Sequence, residues 1–160
     1  LVNKEFIKET IKVNDQELPV KYNQTVSFDY HLIKRPKLPK KVNKEDLTNS
    51  VPLIFLAYAR SGDKGDKANI GIIARKSEYL PFIWSALTEE GVENYFSHFL
   101  NGTVERYFLP GSNSINYLLH NILGGGGIAS LRNDPQGKGY GQLLLNFPIP
   151  VTQTIAETLQ

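Results

Sequence analysis

The chain contains no cysteine. Disulfides, thiolate catalysis, Cys-type zinc sites and iron–sulfur ligation are all excluded by that one absence. A chain that needs no disulfide is expected to be cytoplasmic. Methionine is also missing, so there is no translation start, and the 160 residues are expected to be a trimmed or excised part of something longer. No apolar run approaches the ~20 residues of a membrane helix, and no basic start followed by an apolar stretch suggests a secretory signal. His31, His98 and His120 each stand without a histidine at i+3 or i+4, so no metal site is expected. The P-loop and dinucleotide fingerprints are absent, and no cofactor is called for. What remains is 41% hydrophobic and 21% charged, the balance of one globular domain with a real core.

Charge is unevenly spread. Residues 1–50 hold ten Lys and Arg against seven Asp and Glu, and residues 51–160 hold eight against nine. The excess lies in Lys34-Arg35-Pro36-Lys37-Leu38-Pro39-Lys40-Lys41, where prolines break any helix. No aromatic interleaves with those charges to stack on a base, so a solvated linker is expected and nucleic acid is not.

Residues 1–33 alternate loosely. Phe6, Ile7, Ile11 and Val13, then Val20, Tyr22, Val26, Phe28 and Tyr30, predict two or three antiparallel strands turning at Asn14-Asp15. Residues 34–50 read as the linker. Val51–Ala59 predicts a strand buried on both faces, and Asn69–Arg75 a second, with a helix from Ala68 to Ala74 as the alternative. Glu78–Leu87 and a segment capped by Thr88 read as helices, Ser77 capping the first. Thr103–Leu109 reads as a strand. Ile115, Leu118, Leu119, Ile122 and Leu123 predict a third helix, ended by Gly124-Gly125-Gly126-Gly127. Tyr140–Ile149 reads as the last strand and 150–160 as a short tail, helical in one reading. The expected fold is α+β, one mixed sheet with helices on one face, preceded by a β-rich extension.

Two stretches carry more polar character than folding needs. Tyr58-Ala59-Arg60-Ser61-Gly62-Asp63-Lys64-Gly65-Asp66-Lys67-Ala68-Asn69 packs charges of both signs between two apolar runs, where a hairpin turn needs only a Gly and an Asn or Asp. It reads either as a ligand loop held rigid by strands or as a long solvated connection. The four glycines at 124–127 are costly to order, and one would suffice for a cap. Ser130, Arg132 and Lys138 follow them. Arg60, Lys64, Lys67, Arg132 and Lys138 are candidates to bind an anion. Ser61, Asn69 and the backbone of Gly62, Gly65 and Gly124–Gly127 would assist, and Asp63 or Asp66 is a candidate base.

Residues from about 53 to 149 resemble the small C-terminal domain of the acyclic terpene utilisation protein (AtuA) family. The resemblance rests on Leu56–Asp66, Ala68-Asn69-Ile70-Gly71, Glu78-Tyr79-Leu80-Pro81, Val104-Glu105-Arg106-Tyr107, Leu109-Pro110-Gly111, Gly124–Gly127, Ser130-Leu131-Arg132 and Asp134–Lys138. It implies a ferredoxin-like α+β domain over residues 51–150, with 1–50 as the tail of a larger domain plus a linker, and 151–160 as a tail. It also implies a setting in acyclic terpene breakdown, which runs through CoA thioesters, but no catalytic residues to carry over. Two functions follow as expectations. One is a module that binds an acyl-CoA or another anionic small molecule. The other is a non-catalytic domain for oligomerisation or for docking a larger AtuA N-terminal domain.

Overall fold

A computed structural model describes residues 6–20, 29–34 and 36–159. The chain divides into two units, Leu1–Arg35 and Pro36–Gln160. In the first, β1 (Thr10–Val13) and β2 (Gln16–Pro19) form an antiparallel hairpin. Asn14 and Asp15 join them at φ of 47° and 65°, the paired positive values of a type I′ turn, which Asn and Asp tolerate best. Every residue of both strands is exposed, so the alternation expected to bury one face buries nothing among the described residues. The strand expected through Tyr22, Val26 and Phe28 lies outside the described residues.

The second unit runs β3 (Asn49–Pro52), β4 (Ala57–Lys64), β5 (Lys67–Ala74), α1 (Leu80–Ala86), α2 (Glu89–Tyr95), β6 (Val104–Leu109), β7 (Ser114–Leu119), α3 (Tyr140–Leu144), β8 (Pro148–Val151) and α4 (Gln153–Glu157). Four strands form one sheet in the order β4-β5-β7-β6, and β3 pairs with β8 as a separate ribbon. The fold is α+β with helices on one face of the sheet. The sheet is antiparallel throughout instead of mixed. Its outer pairs are tight hairpins, α1 and α2 occupy the connection between β5 and β6, and α3 lies between β7 and β8.

Several local expectations change for identifiable reasons. The apolar run from Val51 is not one strand. After Pro52 a 3-10 turn at Leu53–Phe55 interrupts it, and the amides of Leu53 and Ile54 donate to the carbonyls of Phe147 and Leu145. The charged stretch expected as a loop is strand almost throughout. Lys64 pairs with Lys67 across a two-residue turn, Gly65-Asp66, and Gly65 takes the positive φ of 70° that such a turn demands at its first position. Ser77 opens a 3-10 turn, Ser77–Tyr79, without capping α1. Thr88 caps α2 as expected, its hydroxyl accepting from the Gly91 amide at 3.0 Å.

The segment expected as a third helix forms β7. Ile115, Tyr117 and Leu119 are buried at strand spacing, because β7 lies between β5 and β6 and both neighbours claim its backbone hydrogen bonds. Residues 140–144, expected as strand, form α3. The tail carries the short helix α4, whose first turn Thr152 caps.

Ile70, Ile72, Ile115, Tyr117 and Leu119 of the sheet pack with Ile83, Leu87, Val92, Phe96, Tyr140 and Leu144 of the helical layer. All are buried, and each such aliphatic or aromatic side chain contributes about 1.5–3 kcal/mol. The opposite face of the sheet is covered by no helix of this unit. There Tyr58, Ile73, Tyr107 and Leu109 remain roughly half exposed.

Candidate functional site

Strand alternation sorts the charged stretch onto two faces. Ala57, Ala59, Ser61 and Asp63 share the face of Ala68, Ile70 and Ile72, against which the helices pack. Tyr58, Arg60, Gly62 and Lys64 share the open face with Lys67, Asn69, Gly71 and Ile73.

Ser61 is buried, and its hydroxyl is fully used. It donates to the Lys138 carbonyl at 3.0 Å and accepts from the Gly141 amide at 2.8 Å. These bonds pin the start of α3 to the edge strand β4. A Cβ on Gly141 would lie 3.2 Å from the Arg60 backbone, so any larger residue would crowd the approach. Ser61 is therefore a tether in this structure, its hydroxyl hydrogen-bonded to no basic side chain among the described residues. Asp134 completes the tether, its two carboxylate oxygens accepting from the amides of Lys138 (2.9 Å) and Gly139 (2.7 Å).

The hairpin turn and the glycine run meet. Asp66 accepts from the Gly125 amide at 2.7 Å through its side chain, and its carbonyl accepts from the amides of Ile122 and Leu123. Gly126 sits so close to the turn that a Cβ would lie 3.0 Å from the Gly65 carbonyl oxygen. Gly124, Gly125 and Gly126 take φ of 67°, 100° and 92°, conformations that side-chain-bearing residues rarely adopt. The four glycines thus follow a strand and a turn, and their close approach is to the protein's own hairpin. Arg132 is likewise engaged internally, its guanidinium donating to the carbonyls of Ile122 and Phe99. Asp63 faces Gly127 on the helical side and has no ion-pair partner among the described residues.

Four of the predicted cations gather elsewhere. Arg60, Lys64 and Lys67 lie on the open face by alternation. The Lys138 amine wraps the β4 edge to sit 3.2 Å from where a Cβ of Gly62 would be. None of the four forms a salt bridge with a described residue, and Lys64 donates only to the carbonyl of Asp63 at 2.8 Å. Beside them the Asn69 amide donates to the Asn116 side chain at 3.2 Å. Gly71, which carries no side chain, leaves a depression of about 280 Å³ lined by Tyr58, Arg60, Ile73, Leu109 and Asn116.

Three further groups meet near this face, a cluster that sequence spacing does not show. Glu105 accepts from the Tyr107 hydroxyl, and its other oxygen lies 2.5 Å from His120 Nε2. The Tyr107 hydrogen bond first, and then that of His120, holds the Glu105 carboxyl below the ordinary carboxylate range, and the charge of Lys67 adds to the effect. The same bond pushes the Tyr107 hydroxyl up. The alternation of Glu105 and Tyr107 along β6 was legible. The partner was not, because His120 was assigned to a helix and instead follows β7.

The sequence profile of the AtuA ferredoxin-like domain matches residues 51–150. No curated protein and no solved structure gives a significant match. The matched span begins within β3 and ends within β8, so it takes in the whole four-stranded sheet, its helices α1 to α3 and the tethered hairpin. The chain belongs to the AtuA ferredoxin-like domain family.

Proposed function

We propose that the open face of the β4-β5-β7-β6 sheet binds an anionic small molecule, with a CoA thioester as the class that fits it. The observation that carries this reading is the convergence of Arg60, Lys64, Lys67 and Lys138 on one face with no salt bridge from any of them to a described residue, Glu105 feeling the charge of Lys67 without pairing with it. Unpaired cations beside a glycine floor favour phosphate or carboxylate ligands. The other end of the same face is apolar, through Tyr58, Ile73, Tyr107 and Leu109, which suits an acyl or adenine portion. Asp66 is committed to Gly125 and Asp63 lies on the other side of the sheet, so the reading is of binding and assigns no base.

A second reading has its own support. The exposed apolar strip also fits a protein partner, a second copy or a larger AtuA domain, because aromatic side chains are enriched at such interfaces.

One experiment separates the two. In calorimetry and thermal-shift titrations with CoA, a short acyl-CoA and inorganic phosphate, a ligand at a hundred times its dissociation constant raises stability by about 2.7 kcal/mol. Alanine at Arg60 and Lys138 together is expected to weaken binding roughly a hundredfold, about tenfold for each charged contact, with the melting temperature of the free protein unchanged. No shift with any anion, accompanied by a stable dimer in light scattering that Tyr107→Glu dissolves, would replace the first reading by the second.

A further inference from the structure

A broad, open depression of about 870 Å³ lies on the helical side of the sheet, away from the cationic face. Its wall is aromatic. Phe99 and Tyr140 stand 5.2 Å apart, with Phe96 behind them at 5.5 Å and 5.9 Å, and Leu143 and the His98 ring extend the surface. Two charged side chains line it, and both are already committed. Arg132 donates to the carbonyls of Ile122 and Phe99, and Asp134 accepts from the amides of Lys138 and Gly139. The Tyr140 hydroxyl is engaged as well, donating to the Ile122 carbonyl at 3.4 Å. The polar groups left are the His98 ring and the neutral amides of Asn101, Asn133 and Gln142, none hydrogen-bonded to a described residue through its side chain.

We infer that this depression is a second binding site, for a neutral and largely apolar small molecule whose hydroxyl or carbonyl meets these amides. The volume falls in the range of small-molecule pockets. A charged ligand would lose hydration there with no uncommitted side chain of opposite charge to compensate it, and that is unfavourable. The inference stands independently of the anion site, because it uses different residues on the other side of the sheet.

The test uses the full chain and the neutral fluorescent probe N-phenyl-1-naphthylamine. A saturable rise in fluorescence is expected, displaced by a medium-chain alcohol. The carboxylate of the same chain length is expected to displace it roughly tenfold more weakly, reflecting the cost of burying the charge. Leu143→Asp, at a side chain 45% exposed, should weaken the probe by about tenfold or more. Gln142→Trp, which occludes the depression from an exposed position, carries the same expectation should the first variant not fold. Arg60→Ala with Lys138→Ala should leave the probe unaffected. A signal that survives both Leu143→Asp and Gln142→Trp, no saturable signal at all, or equal displacement by alcohol and carboxylate would overturn the inference. Loss of CoA binding with the probe retained, or the reverse, shows which of the two sites has failed.

Discussion

Replacing Arg106 by methionine is expected to lower the stability of the fold by about 3 kcal/mol, the low end of the range for removing one partner of a buried ion pair. Arg106 reaches from β6 into the helical layer and ties α1 to α2. One guanidinium nitrogen donates to the carbonyls of Trp84 and Leu87 at 2.7 Å and 2.9 Å, and the other meets Glu89 at 3.1 Å. The guanidinium carbon lies 3.7 Å from the centre of the Trp84 ring, and only 12% of the side chain is exposed. Methionine keeps the apolar stem, so the loss is polar. The Trp84 carbonyl is left without this donor, whereas the Leu87 carbonyl still accepts from Tyr117, whose buried hydroxyl is pushed up by desolvation. Glu89 is 44% exposed and can rehydrate, which keeps the loss at the low end. The melting temperature should fall by roughly 10 °C, read by calorimetry, with Glu89→Gln costing about 1 kcal/mol or less. A fall for Arg106→Met no larger than that of Glu89→Gln would show that the clasp carries no weight.

Alanine at Gly102 is expected to cost a similar amount, about 3 kcal/mol, for a steric reason. Its Cβ would sit 2.5 Å from the His120 carbonyl oxygen and 2.8 Å from the carbonyl carbon. That backbone has little freedom to retreat, because the His120 amide donates to Thr103 at 3.0 Å and the Asn101 amide to Asn121 at 3.4 Å. Relief of the clash moves His120 away from Glu105, so the lowered carboxyl of Glu105 should return toward its ordinary range, observable by NMR titration. Gly111→Ala is the control, since nothing lies within 4 Å of its Cβ position and its backbone needs no positive φ. Equal melting temperatures for the two variants would refute the steric account.

The sequence yielded those features whose signals are local. Asn14-Asp15 announces its turn, Thr88 its cap, and Val104 to Leu109 its alternation. The errors come where distant partners decide. Ile115, Leu118, Leu119, Ile122 and Leu123 match a helical face in spacing. Yet Ile115 and Leu119 belong to a central strand, and Ile122 and Leu123 to the turn hydrogen-bonded to Asp66. Residues 140–144 are helical where Ser61, far away in the chain, accepts from the Gly141 amide in their first turn. The same limit applied to the site. Charge in the stretch 60–67 was visible, but which cations reach the open face depends on hairpin register, and Lys138 arrives there only through the α3 tether. Arg132 and the glycines, conspicuous in the sequence, turn inward because the carbonyls and the hairpin they contact are set by the fold.

The ribbon of β3 and β8 has a mechanical consequence. Asn49 pairs with Val151 and Pro52 with Pro148, so the threads of chain that enter β3 and leave β8 lie at the same end of the ribbon. Tension applied through those threads peels the pair open from its mouth, loading one hydrogen bond at a time instead of shearing them together. Prolines at 52, 148 and 150 supply no amide to the ladder, which weakens it further. At the mouth a side-chain bond from Asn49 to Gln153, 2.7 Å long, is the first to bear load. Optical-trap pulling from Thr48 and Thr152 should therefore show the ribbon yielding at low force before the sheet does, and a single all-or-none rupture would contradict it.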